Sequence, residues 1–248
     1  MVKTRLIPSH PALILEEKQR HLVITDLHIG FEAGLISNDI FIEPKELIRE
    51  MHDNIQNLVQ AQKVDSLVLL GDIKSGIDSI SKIEWSAVPL FFEIGKNIKI
   101  IVIPGNHDGN LQKLLPDNVT LTSSAGLVIG DVLLTHGHVM PSENLSFVSK
   151  IIMGHVHPVY FQEGSVVDGQ RVWVSIKTEK SQLFPSVKGD LEVTVMPSFN
   201  KYLYATHKRY YKRSISPILE SIKDYLTAKI VTLDGSIIGD ETMISNVL

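Results

Sequence analysis

Aspartate, histidine and asparagine recur in this sequence in short blocks, each just after an apolar run. The blocks are Asp26 and His28 in D-L-H, Asp72 in G-D, Asn106 with His107 and Asp108 in G-N-H-D, His136 in T-H-G-H, and His155 with His157 in G-H-V-H. Carboxylate, amide oxygen and imidazole all bind divalent metals. A mixed nitrogen and oxygen set suits manganese, iron, zinc or nickel better than magnesium or calcium, which prefer all-oxygen shells. Such a set could act on an anionic ester such as a phosphate, which repels hydroxide. Two cations roughly 3.5–4 Å apart clamp its oxygens and acidify a bound water. A carboxylate is the natural bridge between two cations, and Asp72 is the candidate. Each block alone has a plainer reading, a strand-end turn or a turn-favouring Asn. Their joint occurrence argues for a site.

The elements that position these residues are short β-rich runs. His21–Thr25, Ser66–Leu70, Ile98–Ile103, Val132–Thr135 and Ile151–Met153 are apolar and stop at the blocks, where Gly or Pro often follows. They read as buried strands. Between them lie helical patterns: Leu47, Met51, Ile55, Leu58 and Gln62 after Pro44, then Ile80, Ile83, Ala87, Phe91 and Ile94. Strand, helix, strand predicts parallel pairing with crossovers in the first half. In open α/β sheets ligands gather at the carboxyl ends of strands, so the blocks should converge. After Asn118 the helical signal thins. Hairpins are expected around Gly130-Asp131 and Asp234-Gly235, and Ser216-Pro217 is expected to open a short helix through Tyr225.

The blocks D-x-H, G-D, G-N-H-D, H and G-H-x-H, in this order over residues 20–160, resemble those of the calcineurin-like metallophosphoesterases. The longer strings D-L-H-I-G-F-E, L-G-D-I-K and G-H-V-H-P are most similar to the ICC-type branch of archaea and bacteria, and M-P-S-F-N at Met196–Asn200 is similar too. The resemblance implies an α/β fold, a four-layered α/β/β/α sandwich of two mixed β-sheets with flanking helices. It is read as a single domain over 1–248, with core motifs in 20–160 and a C-terminal extension at 200–248. It implies two divalent ions, one on Asp26, His28, Asp72 and His157, the other on Asp72, Asn106, His136 and His155. Manganese is expected first, with iron, zinc or nickel as alternatives. A bridging water or hydroxide would attack phosphorus in line. His107 would stabilise or protonate the leaving oxygen, and Asp108 would orient His107. Two positions depart from the family pattern. Ser75 stands where many members carry Asp, and Asp108 where many carry Glu. The expected reaction is hydrolysis of phosphodiesters, with DNA or RNA as specific substrates. The alternatives are a phosphomonoesterase or nucleotidase, and a binding module that kept the fold but lost the reaction. The complete ligand set and His107 count against the last.

The remaining features bound this reading. A net charge of −4 gives no overall basic footprint for nucleic acid, so any such contact is local. Lys201 to Arg213 is the candidate stretch, with Lys201, Lys208, Arg209, Lys212 and Arg213 interleaved with tyrosines. Its plainer reading is a solvated segment whose tyrosines pack on the body. His138 is a candidate substrate contact, and Lys74 and Lys177 are further cations that could meet an anion. His10, His21, His52 and His207 lie outside the blocks and read as structural or exposed. There is no cysteine, so no thiolate site, and no apolar run long enough for a membrane span. A cytoplasmic enzyme is expected, acting on a phosphate ester, without a membrane partner and with a homodimer allowed.

Overall fold

The strand Ser66–Leu70 is apolar beyond its first residue and buried throughout, which requires that both of its faces be covered. The computed structural model, which describes residues 2–35, 41–204, 216–222 and 227–247, shows what covers them. Two mixed sheets stack face to face. The first has the order β1 (Lys3–Leu6), β2 (Leu13–Glu16), β3 (Arg20–Ile24), β4 (Ser66–Leu70), β5 (Lys99–Ile103), β6 (Val119–Leu121). Its first three strands pair antiparallel, and β3 through β6 pair parallel. The second runs β14 (Ile237–Asp240), β13 (Thr227–Thr232), β11 (Gln170–Glu179), β12 (Asp190–Val195), β9 (Lys150–Met153), β8 (Val132–Thr135), β7 (Leu127–Ile129), with β10 (Val159–Tyr160) paired to β11. Here β12, β9 and β8 are parallel neighbours.

The two-residue period of each strand sorts side chains between layers. Leu67 and Leu69 of β4, and Ile100 and Val102 of β5, pack outward against the helices. Val68, Leu70, Ile101 and Ile103 point inward, where they meet Val132, Leu134, Ile152, Trp173 and Met196 from the second sheet. The outward residues of the second sheet, among them Leu133, Ile151 and Val193, join Val148, Phe184 and Ile218.

The outer layer on the first sheet is helical. α1 (Glu32–Leu35) is one turn. α2 (Pro44–Gln62) starts with proline in its first turn, buries Leu47, Ile48, Met51, Ile55 and Leu58, and stops at Lys63 in the left-handed region. α3 (Lys82–Phe92) opens with a capping box between Ser81 and Glu84. The opposite outer layer is thinner than the expected flanking helices. Its one α-helix among the described residues is α4 (Pro217–Ser221), joined by short 3-10 segments. The expected helix through Tyr225 ends at Ser221, and residues 223–226 lie outside those described. Both expected hairpins form, β7–β8 and β13–β14. The latter places residues 227–240 inside the second sheet. No helix among the described residues is long and apolar enough to cross a membrane.

Candidate metal centre

The Asp and His blocks lie immediately beyond β3, β4, β5, β8 and β9, at their carboxyl ends. Several of these residues hold left-handed backbone conformations: Asp26, His28, Asp72, His155 and His157 have φ of 56°, 43°, 49°, 71° and 50°. Asp and His tolerate this region better than most residues. Each such residue still costs of the order of 1–3 kcal/mol and persists only where the surroundings fix it. One buried Leu or Val of the strands behind is worth a comparable 1.5–3 kcal/mol or so. The turns also brace one another. His28 N–H donates to Asp72 O (2.8 Å) and Ile29 N–H to Ile73 O (2.8 Å). Gly71 (φ +78°) permits this closeness, because a Cβ there would lie 2.6 Å from both Gly105 N and His136 Nδ1. Asp26, fully buried, accepts the His155 N–H at 3.2 Å and so ties the end of one sheet to the end of the other.

Two groups of ligand atoms result. Asp26, His28, Asp72 and His157 bring one atom each within 4.8 Å of one another, and so do Asp72, His136 and His155. Asp72 belongs to both. Its Oδ2 lies 3.4 Å from His28 Nε2 and 3.3 Å from His136 Nε2. Asn106 Oδ1 lies 3.2 Å from His136 Nε2 and so adjoins the second group.

The donor chemistry tests whether cations fit. His136 Nδ1–H donates to Leu70 O at 2.7 Å, so Nε2 is the ring atom left to bind a cation in place of a proton. Around that atom stand Asp72 Oδ2, Asn106 Oδ1 and, at 3.1 Å, His155 Nδ1. In the other group His28 Nε2 and His157 Nε2 lie 3.2 Å apart, with Asp26 Oδ1 3.1 Å from the latter. Such converging nitrogen and oxygen atoms suit a divalent cation in each group. The protein's own protons follow the same field. Burial alone would push the His136 imidazole down, yet Asp72, Asp26 and the Leu70 carbonyl lift it to about 9. Burial and the charge of His157 push His28 down to about 3. Burial opposes the charged forms of Asp26 and Asp72, but His157 beside the first and His136 beside the second hold both below the usual carboxylate range.

His107 stands at the edge of this cluster, its ring edge-on to His28 with centroids 5.0 Å apart. Its main-chain N–H donates to Asp72 Oδ1 at 2.9 Å. The expectation that Asp108 orients it is corrected. His107 Nδ1 meets the Ser75 main-chain carbonyl at 2.5 Å. Asp108 instead accepts N–H groups of Ile73, Lys74 and Gly105 at 2.9, 3.3 and 2.8 Å. Its carboxylate thereby clips the turn after β4 to the turn after β5. Burial, then the charge of Asp72, push its carboxyl up to about 6.

His138 lies beside His136 and His155, with centroids 5.2 and 6.1 Å away, and its Nδ1 is buried with no hydrogen-bond partner among the described residues. Burial and its two imidazole neighbours push it down to about 4. Lys74 is fully buried, and its ammonium bonds carbonyls rather than facing the cluster. Lys177 is exposed on β11. Lys201 pairs with Glu50 of α2 and lies 5.0 Å above the Tyr202 ring. Lys208, Arg209, Lys212 and Arg213 lie outside the described residues. Buried His21 pairs with Ser66 at 2.6 Å, as a structural histidine does.

The family model for the calcineurin-like phosphoesterases matches residues 20–183, which hold all the blocks. The chain belongs to this family. Among solved structures this calcineurin-like phosphoesterase is similar to the Pseudomonas putida nuclease MPE, with 16% identity, 94% of this chain and 98% of that chain covered, and a TM-score of 0.55. At that identity the likeness is one of fold. It is also similar to Yfce, a phosphoesterase from E. coli, with 16% identity, 90% and 98% covered, and a TM-score of 0.38. No curated protein sequence matches it significantly.

Beyond the matched span, this phosphoesterase uses residues to which sequence reasoning gave no role. Ser198 Oγ donates to Asp26 O at 3.0 Å, and Asn200 Nδ2 donates to Leu27 O at 2.8 Å. Phe199 N–H donates to Thr25 O at 2.9 Å. The 198–200 segment therefore holds the left-handed turn that carries Asp26 and His28. Its signal was the M-P-S-F-N string, with polar residues among apolar ones. Asn200→Ala is expected to weaken metal binding by about 10–100-fold, the usual effect of losing a group that holds a ligand in place. Competition with a chelator measures this, and an unchanged affinity would remove Asn200 from the site.

Proposed function

We propose that the protein hydrolyses phosphodiesters with two divalent cations, manganese the first to try, held on either side of Asp72. The observation that carries this reading is the pair of ligand groups sharing Asp72, with His107 beside them. Bound there, the cations would neutralise phosphate charge and acidify water. The chain's own residues supply the rest. His107, held at Nδ1 by Ser75 O, presents Nε2 to the leaving oxygen and gives it a proton as the ester bond breaks. Asp108 and Asp26 keep the ligand turns in register.

The nuclease among the similar folds makes DNA and RNA the next esters to try.

The test is turnover of paired chromogenic esters, a phosphodiester and a phosphomonoester, across Mn, Fe, Zn and Ni. Faster diester turnover that stops with chelator is expected. Monoester preference would point to a phosphatase or nucleotidase. No turnover despite bound ions would leave a binding module.

A further inference from the structure

The loop from β4 to α3, residues 71–81, has little regular structure beyond a single bridge between Lys74 and Ile29. Its backbone polar groups must still be satisfied. Buried side chains do this on both sides. Glu84, 1% exposed, accepts N–H groups of Ser75 (3.0 Å), Gly76 (2.7 Å) and Ser81 (2.6 Å). Lys74, 0% exposed, donates to the carbonyls of Gly76, Ile77 (3.3 Å) and Ser79 (3.4 Å). Burying an ammonium and a carboxylate is weak support for stability, since apolar residues of similar size serve as well. What these two determine is the path of the main chain at Ser75. A side-chain acceptor can rotate toward its donor, but a main-chain carbonyl points where the loop points it. Ser75 offers no carboxylate, and its carbonyl is the group that meets His107 Nδ1.

We propose that Lys74 and Glu84 are positioning residues for His107: they clamp the 74–81 loop so that the Ser75 carbonyl accepts from Nδ1–H and Nε2 is left for the substrate. The inference rests on the role given to His107 above. It adds that two buried charged side chains, outside both ligand groups, fix which His107 nitrogen faces the substrate.

The test uses the full chain, zinc-loaded, as wild type, Glu84→Gln and Lys74→Gln. Imidazole ¹⁵N spectra report the tautomer, with the His107 signals identified by their loss in His107→Ala. Wild type should keep a proton on His107 Nδ1 in every form, so that the proton given to the leaving oxygen is the one on Nε2. Both variants should show a mixture while keeping the wild-type metal content. With a diester bearing an alkyl leaving group, kcat should fall on the order of ten- to a hundredfold, as for a misplaced catalytic group. KM should hold, and a nitrophenyl ester should be little affected. Adding Glu84→Gln to His107→Ala should cause no further loss. An unchanged tautomer would overturn the proposal. So would equal slowing of both esters that adds in full to His107→Ala, or loss of fold and metal together in both variants. If wild type turns over neither ester, the reading of the reaction fails, and the tautomer alone still decides the positioning claim.

Discussion

Asp72→Asn is expected to reduce bound metal from two ions per chain to at most one and to lower diester turnover by more than about a thousandfold, beyond the loss from removing one charge-stabilising donor. The two oxygens of this carboxylate do different things. Oδ1 accepts the His107 main-chain N–H at 2.9 Å. Oδ2 faces His28 Nε2 at 3.4 Å and His136 Nε2 at 3.3 Å, one imidazole from each ligand group. An asparagine oxygen can keep the first contact, so the turn should hold its shape. The amide nitrogen then replaces Oδ2 and points hydrogens where both groups need an acceptor. It also removes the negative charge that lifts His136. Metal content by elemental analysis and turnover of the chromogenic diester measure the two effects together. Two ions retained with turnover within about tenfold of wild type would show that Asp72 is not the shared ligand, because a lost anionic bridge costs more than that. Thermal unfolding of the metal-free variant separates this result from a folding defect.

How far the sequence predicts this arrangement depends on the range over which each signal acts. Apolar runs of β4 and β5 that stop at Gly71-Asp72 and Pro104-Gly105-Asn106 report both a buried strand and its end, because burial on two faces leaves a run without polar alternation. The ligand turns follow from those ends, and Asp, His and Asn are residue types that also tolerate them. The first helices are equally legible, through Pro44 and the spacing of Leu47, Met51 and Ile55. What the sequence hides is contact between distant segments. Asp108 sits next to His107 in the chain and reads as its partner, but its side chain turns away to the β4 loop. Ser198 and Asn200 reach the Asp26 turn across a long stretch of sequence, and no local pattern encodes that reach. Lys74 reads as a cation for substrate because buried lysines are rare. Only the loop it organises explains it.

His107→Ala should separate catalysis from metal binding. Neither ligand group includes His107, and its link to Asp72 runs through the main-chain N–H, which alanine keeps. Both ions should therefore remain, and KM should move little. Turnover should fall by about 10²–10⁴-fold for a diester with an alkyl leaving group, the range that a placed general acid contributes. A nitrophenyl ester should lose far less, because nitrophenolate departs without a proton. Equal rates for wild type and variant on every ester would remove the assigned role. A uniform loss across leaving groups would instead indicate that the ring stabilises the phosphate itself. The ring's other neighbour makes the comparison clean. His28 meets it edge-on at 5.0 Å, but the His28 nitrogen that faces the metal group is held against His157 and Asp72. Removing the His107 ring therefore leaves the ligand contacts of His28 in place.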